Sequence, residues 1–116
     1  EAFTKTLGRA AHDVSTVNED LEDMLALLDL LEDYVGVSNT NMHLRAGLGK
    51  TARVLVPRPP EWRWMAEGSE SPWFPGFAVY RPGAGGDWQE AFGRLPGDLT
   101  QSLWQYCHPH EQQRPI

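Results

Sequence analysis

The stretch from Tyr34 to Pro57 constrains the fold most: Tyr-Val-Gly-Val-Ser-Asn-Thr-Asn-Met-His-Leu-Arg-Ala-Gly-Leu-Gly-Lys-Thr-Ala-Arg-Val-Leu-Val-Pro. Its order is strand, polar turn, short helix, strand. Val35 and Val37 are β-branched and run into Ser38, Asn39 and Thr40, residue types that favour turns and helix caps. Met42, Leu44, Ala46 and Leu48 predict a short helix that Gly49 closes at the usual C-terminal place. Arg53 to Val56 predicts a second strand, stopped by Pro57. A parallel crossover of this kind aims the N–H groups of the helix start out of the carboxyl edge of the sheet. Such a start favours an anion, typically a phosphate.

Upstream, Leu21, Met24, Leu25, Leu28 and Leu31, widened by Leu27, form an apolar stripe at helical spacing. Thr16 and Glu19 have capping-box spacing, and Asp20, Glu22 and Asp23 put negative charge where a helix dipole favours it. A helix with core leucines is expected there, and a short strand over Arg9 to Val14. Downstream, Arg58 to Gly76 holds Pro59, Pro60, Pro72 and Pro75 together with Trp62, Trp64, Trp73 and Phe74. Proline excludes most regular structure, while three indoles are costly to leave in water. An ordered, functional loop is expected. Phe77 to Arg81 reads as a strand, and Pro82 to Gly86 as a hairpin turn. Asp87 and Glu90 suggest a capped helix from Trp88, with Phe92 and Leu95 facing inward. Pro96-Gly97 should break or kink that helix before it resumes at Leu99. Strands alternating with helices at this spacing give an α/β sheet that is mostly parallel, with three or four of each element. That is about half of a doubly wound domain.

The formal net charge of −6 argues against non-specific nucleic-acid binding. With 41% hydrophobic and 22% charged residues, the composition is that of a soluble globular chain. The single Cys107 excludes an internal disulfide and fits a reducing compartment, hence a cytoplasmic location. The most apolar run, Met24 to Leu31, is interrupted by Asp29 and is too short to span a bilayer. The chain begins at Glu1 without Met, which suits a processed product or a piece of a longer protein.

Two constellations could carry chemistry. In the first, Ser38, Asn39, Thr40 and Asn41 open a helix, and His43 lies one turn inside it, placed to donate to a phosphate or ribose. A capped helix with a half-buried His bonded to a carbonyl explains the same spacing. In the second, the loop after Val56 leaves the same carboxyl edge as the Ser38 turn if the two strands are parallel neighbours. Ligands of open α/β sheets bind in that crevice. Trp62 or Trp64 could then stack on a base or sugar, and Arg58 or Arg63 could pair with a diphosphate. The indoles could equally plug the sheet edge. His12, His43, His108 and His110 do not match zinc spacing, no Asp-x-Asp pair occurs, and no nucleophile elbow is present.

The string from Val37 to Lys50 is followed by a hydrophobic strand ending at Pro57. Then come Glu61-Trp62-Arg63-Trp64, Ser71-Pro72-Trp73-Phe74-Pro75 and Gly86-Asp87-Trp88. Together, over roughly residues 16–100, these resemble the C-terminal end of bacterial tetratricopeptide-repeat proteins with a glycosyltransferase-like module. That module is related to the ADP-heptose:lipopolysaccharide heptosyltransferases of glycosyltransferase family 9. The resemblance implies a partial Rossmann-like, three-layer unit of the GT-B type. Residues 1–106 would be the second half of the nucleotide-sugar-binding domain, and residues 107–116 a flexible tail. It implies a nucleotide-diphosphate sugar as donor, an unidentified glycan or protein acceptor, and no metal or other cofactor.

The family turn is usually Asp-Thr-x-x-x-His. Here Asn39 stands for the Asp, while Thr40 and His43 keep their places. Ser38, Asn39, Thr40, Asn41, His43, Trp62 and Arg63 are the expected substrate-binding residues. The general base of GT-B enzymes comes from the other domain, so this chain alone is not expected to catalyse transfer. A degenerate module kept for protein interaction or scaffolding is the alternative, supported by Asn39. A truncated sheet also exposes an edge, so self-association through the Leu21–Leu31 helix and the Val35–Val37 strand is expected.

Overall fold

The computed structural model describes residue 8 and residues 10–108. Among the described residues there are three helices and three strands. They are α1 (Leu21–Leu30), β1 (Val35–Val37), α2 (Thr40–Gly47), β2 (Arg53–Leu55), β3 (Ala78–Tyr80) and α3 (Gln89–Cys107). Single 3₁₀ turns lie at Ser15–Glu19 and Trp62–Trp64. The strands form one sheet in the order β1-β2-β3, parallel throughout. Val35 pairs with Arg53 and Val37 with Leu55. Arg53 pairs in turn with Ala78, and Leu55 with Tyr80.

The two sheet faces follow the alternation of the strands. Ala52, Val54, Val56, Phe77 and Val79 turn to one side and join Met42, Trp64 and Phe74 in the core. Arg53 and Tyr80 turn to the other side and reach α3. The Arg53 guanidinium donates to the Tyr80 hydroxyl (3.0 Å), the Asp98 carbonyl (3.2 Å) and Ser102, and Tyr80 donates to the Asp98 carboxylate at 2.7 Å. Burial pushes the Tyr80 phenol above its ordinary value, and the bond to Asp98 adds to this.

The β1–α2–β2 crossover forms as its residues predict. The Asn39 carboxamide caps α2 by accepting from the Asn41 N–H at 3.0 Å. At the other end Gly49, at φ +74°, closes the helix. Gly49 N–H donates to the Ala46 carbonyl (2.9 Å) and Lys50 N–H to that of Arg45 (3.1 Å), the paired bonds of a Schellman motif. Arg45 then ties α2 to the end of α1. Its guanidinium donates to the carbonyls of Leu28, Leu31 (2.9 Å), Glu32 (3.3 Å) and Thr51 (2.7 Å). These include last-turn carbonyls of α1 that have no partner inside the helix.

Several expectations are corrected. Residues 10–14 form no strand, and Arg9 lies outside the described residues. Thr16 and Glu19 sit within the 3₁₀ turn, and the cap of α1 is Asp20, which accepts from the Glu22 and Asp23 N–H groups. Of the α1 stripe, Met24 and Leu28 are buried, Leu25, Leu27 and Leu31 are half-buried, and Leu21 is 63% exposed. Leu21 instead borders an open groove with Asn18, Asn39, Thr40 and Asn41.

The glycine-rich turn after β3 makes no hairpin, because the element that follows it is the helix α3 and not a strand. The N-cap of α3 is Trp88, which makes no side-chain cap bond; Asp87, expected as the cap, stands one residue earlier and accepts from Gln89 N–H at 2.9 Å, and no box with Glu90 forms. Helix α3 runs unbroken through Pro96 to Cys107. The ring takes the N–H donor away from the Phe92 carbonyl and crowds it, and the helix absorbs this; Thr100 Oγ1 adds a bond to the Pro96 carbonyl at 2.9 Å. Phe92 faces outward and is half-exposed. Of the expected tail, Cys107 is helical, His108 follows it, and residues 109–116 lie outside the described residues. Among the described residues no helix is long and apolar enough to cross a membrane.

Candidate functional site

The three strands end together at Val37, Leu55 and Tyr80, and this carboxyl edge is where the expected residues gather. Ser38, the first residue past β1, accepts from Trp64 Nε1–H at 2.8 Å and donates to Glu61 Oε2 at 3.2 Å. The turn after β1 and the loop after β2 are thus bonded across the edge. The same Glu61 oxygen accepts from Arg63 Nη1 at 3.1 Å. The Arg63 guanidinium lies over the Trp62 ring, 4.9 Å from its centroid.

The aromatic loop divides its indoles between two tasks. Trp64 is fully buried and stacks on Phe74 at 4.4 Å, so it plugs the sheet edge. Trp62 and Trp73 are 62% and 61% exposed and meet edge to face at 5.1 Å. His43 is exposed on α2 and meets Phe74 edge-on at 5.2 Å. Between them lies an open cleft of about 330 Å³, lined by His43, Ala46, Trp62, Arg63, Trp73 and Phe74.

The loop is held from beneath. Arg81, just past β3, donates to the carbonyls of Trp64, Glu67 (3.4 Å) and Gly68 (2.8 Å). The buried Ser71 hydroxyl donates to the Arg63 carbonyl and accepts from the Trp73 N–H at 3.2 Å. Between those anchors Met65 holds φ +64°, a conformation that costs a non-glycine residue ~1–3 kcal/mol. Burial lowers the Arg81 pKa, and the nearby positive charge of Arg58 lowers it further.

The helix-start residues are split from this cleft. The Asn39 cap and the Asn39 carbonyl already engage the N–H groups of Asn41 and Met42. An anion at this turn would therefore meet Thr40 and side chains rather than an open ring of N–H groups. Asn41 Nδ2 donates to the Tyr34 hydroxyl (3.2 Å) and to Asn18 (3.3 Å), which is a structural use. Asn39, Thr40 and Asn41 border a second groove with Asn18, Leu21 and Met24. So the structure joins His43, Trp62 and Arg63 at one cleft, with Ser38 bonded to Trp64 and Glu61 of the same loop, and sets Asn39, Thr40 and Asn41 beside another.

Glu61 and Arg81 belong to the edge although no ligand or supporting role was expected of them, and Trp73 and Phe74, expected only as parts of the ordered aromatic loop, line the cleft. The spacing Glu61-x-Arg63 and the second aromatic run were the available signals. A larger hollow of about 430 Å³ opens at the opposite, amino end of the strands, beside Asp33, Arg53 and Tyr106. Its guanidinium already binds Asp33, at 3.1 Å, and α3, so it serves the fold. Among the described residues no three His, Cys, Asp or Glu side chains come together. Comparison with family models, with curated proteins and with solved structures gave no match to this chain.

Proposed function

We propose that this chain is the nucleotide-sugar-binding part of a GT-B glycosyltransferase. In this proposal it is a partial Rossmann-like unit, resembling the module of the tetratricopeptide-repeat proteins related to the heptosyltransferases. The observation that carries the proposal is the bonding of Ser38 to both Trp64 and Glu61, which ties the residue after β1 to the aromatic loop at the carboxyl edge. Crevices at the carboxyl edge of parallel sheets are where such folds take nucleotides.

In use, Ser38 and Thr40 would meet the diphosphate, His43 and Arg63 would donate to it or to the sugar, and Trp62 would supply a stacking face. Transfer would proceed by positioning and by stabilising the leaving diphosphate, with the base supplied by another domain. The donor is a substrate, and no resident cofactor enters the scheme. A cytoplasmic location and an unidentified glycan or protein acceptor belong to the same proposal.

Calorimetry with UDP, GDP and ADP sugars tests it, best on a protein carrying both GT-B domains. Thr40→Ala and His43→Ala should weaken the nucleotide-diphosphate sugar by ~1.5–3 kcal/mol per lost charged contact, and leave the nucleoside unchanged. Equal losses for both ligands would remove the turn from the phosphate site.

One observation favours a second reading, a degenerate module kept for interaction or scaffolding. Glu61 already holds Arg63 and Ser38, and Asn39 replaces a carboxylate, so the edge is satisfied without an anion. A folded protein that binds none of the three nucleotide sugars would support it.

A further inference from the structure

Two tryptophans more than half exposed, side by side, are unusual on a small domain. A large apolar patch in water marks a contact site. These indoles are also fixed in place. Arg81 grips the loop at Trp64 and Gly68, Ser71 joins its two ends at Arg63 and Trp73, and Trp64 is bonded to Ser38. The corner between Trp62 and Trp73 is therefore preorganised, and an occupant pays little ordering entropy.

The volume of the cleft, about 330 Å³, lies at the small end for ligand pockets and suits one ring rather than a dinucleotide. Its charge is balanced, because Glu61 is 3.1 Å from Arg63. Hydroxyl groups find an acceptor in the Glu61 carboxylate and donors on Arg63. A pyranose combines an apolar C–H face with a rim of hydroxyls. Indoles at 89° to each other offer it one ring to lie on and a second to abut, where a flat base would cover only one.

We propose that the corner of Trp62 and Trp73 binds an uncharged pyranose ring of a glycan, with Arg63, His43 and Glu61 meeting its hydroxyls. The proposal rests on this edge being a sugar-handling site, but it requires no nucleotide contact.

The test is a titration of the chain followed through the indole N–H signals of its five tryptophans in ¹⁵N NMR. The probes are maltotriose, cellotriose, mannotriose and triacetylchitotriose, with uridine, guanosine and adenosine for comparison. At least one trisaccharide should shift the Trp62 and Trp73 signals saturably. Trp73→Ala should weaken that binding about 10-fold, the equivalent of ~1.4 kcal/mol for one lost stacking face. Trp73→Phe, which keeps a ring, should restore most of it. Trp104→Ala, on α3 away from the cleft, should leave it unchanged. No shift with any trisaccharide overturns the proposal, as does a shift with nucleosides alone. Trisaccharide binding without nucleotide-sugar binding would uphold the corner and sink only the donor-site proposal. The reverse result would do the opposite.

Discussion

Arg45→Met is the sharpest test of what holds the crevice in shape. Arg45 is 2% exposed, and its guanidinium serves four carbonyls at the junction of α1, α2 and β2. Burial lowers its pKa, with the charges of Asp33 and Asp29 opposing that effect. Methionine keeps much of the stem and removes every donor. The Leu28 carbonyl is then left buried without a partner, at ~2 kcal/mol, and that of Leu31 loses ~1 kcal/mol. Glu32 and Thr51 are exposed, so their carbonyls regain water at ~0.5 kcal/mol each. Relief of guanidinium desolvation returns ~1 kcal/mol, leaving a net loss of ~3 kcal/mol.

Urea unfolding followed by far-ultraviolet circular dichroism reads this directly. With a slope of ~1–1.5 kcal/mol/M, the midpoint should fall by ~2–3 M. Arg45→Lys, a point charge without the fork, should lose roughly half as much. A methionine variant within ~0.5 kcal/mol of the parent would refute the reasoning, since surface substitutions routinely do as little.

Arg81→Ala should free the aromatic loop. Amide exchange over residues 62–74 should quicken markedly, with a global loss of only ~1–2 kcal/mol, and unchanged exchange would show that the loop is held by its prolines and rings alone. Tyr80 predicts an alkaline limit to stability. Its folded pKa is raised above the ordinary 10.0, so above that pH the unfolded chain has released a proton that the folded chain keeps. Its stabilising contribution is full below pH 10 and is lost as pH rises through the folded pKa, and Tyr80→Phe should flatten that fall in urea midpoints measured from pH 9 to 11.5. The free side of β1, with Val37, Leu21 and Leu30 exposed, should drive self-association, visible as a light-scattering mass that rises with concentration and is suppressed by Val37→Lys. A monomer at millimolar concentration would count against an unpaired edge.

The crossover from Tyr34 to Pro57 was readable because each residue type there has a single local use. β-branched valines enter, Asn39 caps, Gly49 takes a positive φ, and Pro57 ends the strand. The parallel sense followed from the helix between the strands. Local rules misled where tertiary contacts decide. Pro96 did not break α3, because one missing N–H in a 19-residue helix is tolerated where the helix is tied to the sheet through Arg53, Asp98 and Ser102. Leu21 has the periodicity of a core residue but lies on the rim of an open groove, 63% exposed.

At the candidate site, the meeting of the Ser38 turn with the Trp62 loop was legible from strand order alone. The division of labour among the indoles was not. Trp64 is buried and Trp62 exposed because a 3₁₀ turn points residues two apart in different directions. Glu61 as the shared partner of Ser38 and Arg63 depends on a contact across 23 residues that no local pattern records.

The most direct test of the carboxyl edge as a nucleotide-sugar site is a ¹⁵N NMR titration of the chain with UDP-, GDP- and ADP-glucose at millimolar concentration. Saturable shifts confined to the amides of 38–43 and 61–64 are expected for one of the three, with α3 and the amino-end hollow silent. No shift at that edge with any of them, or shifts centred on Arg53 and α3 instead, would contradict it.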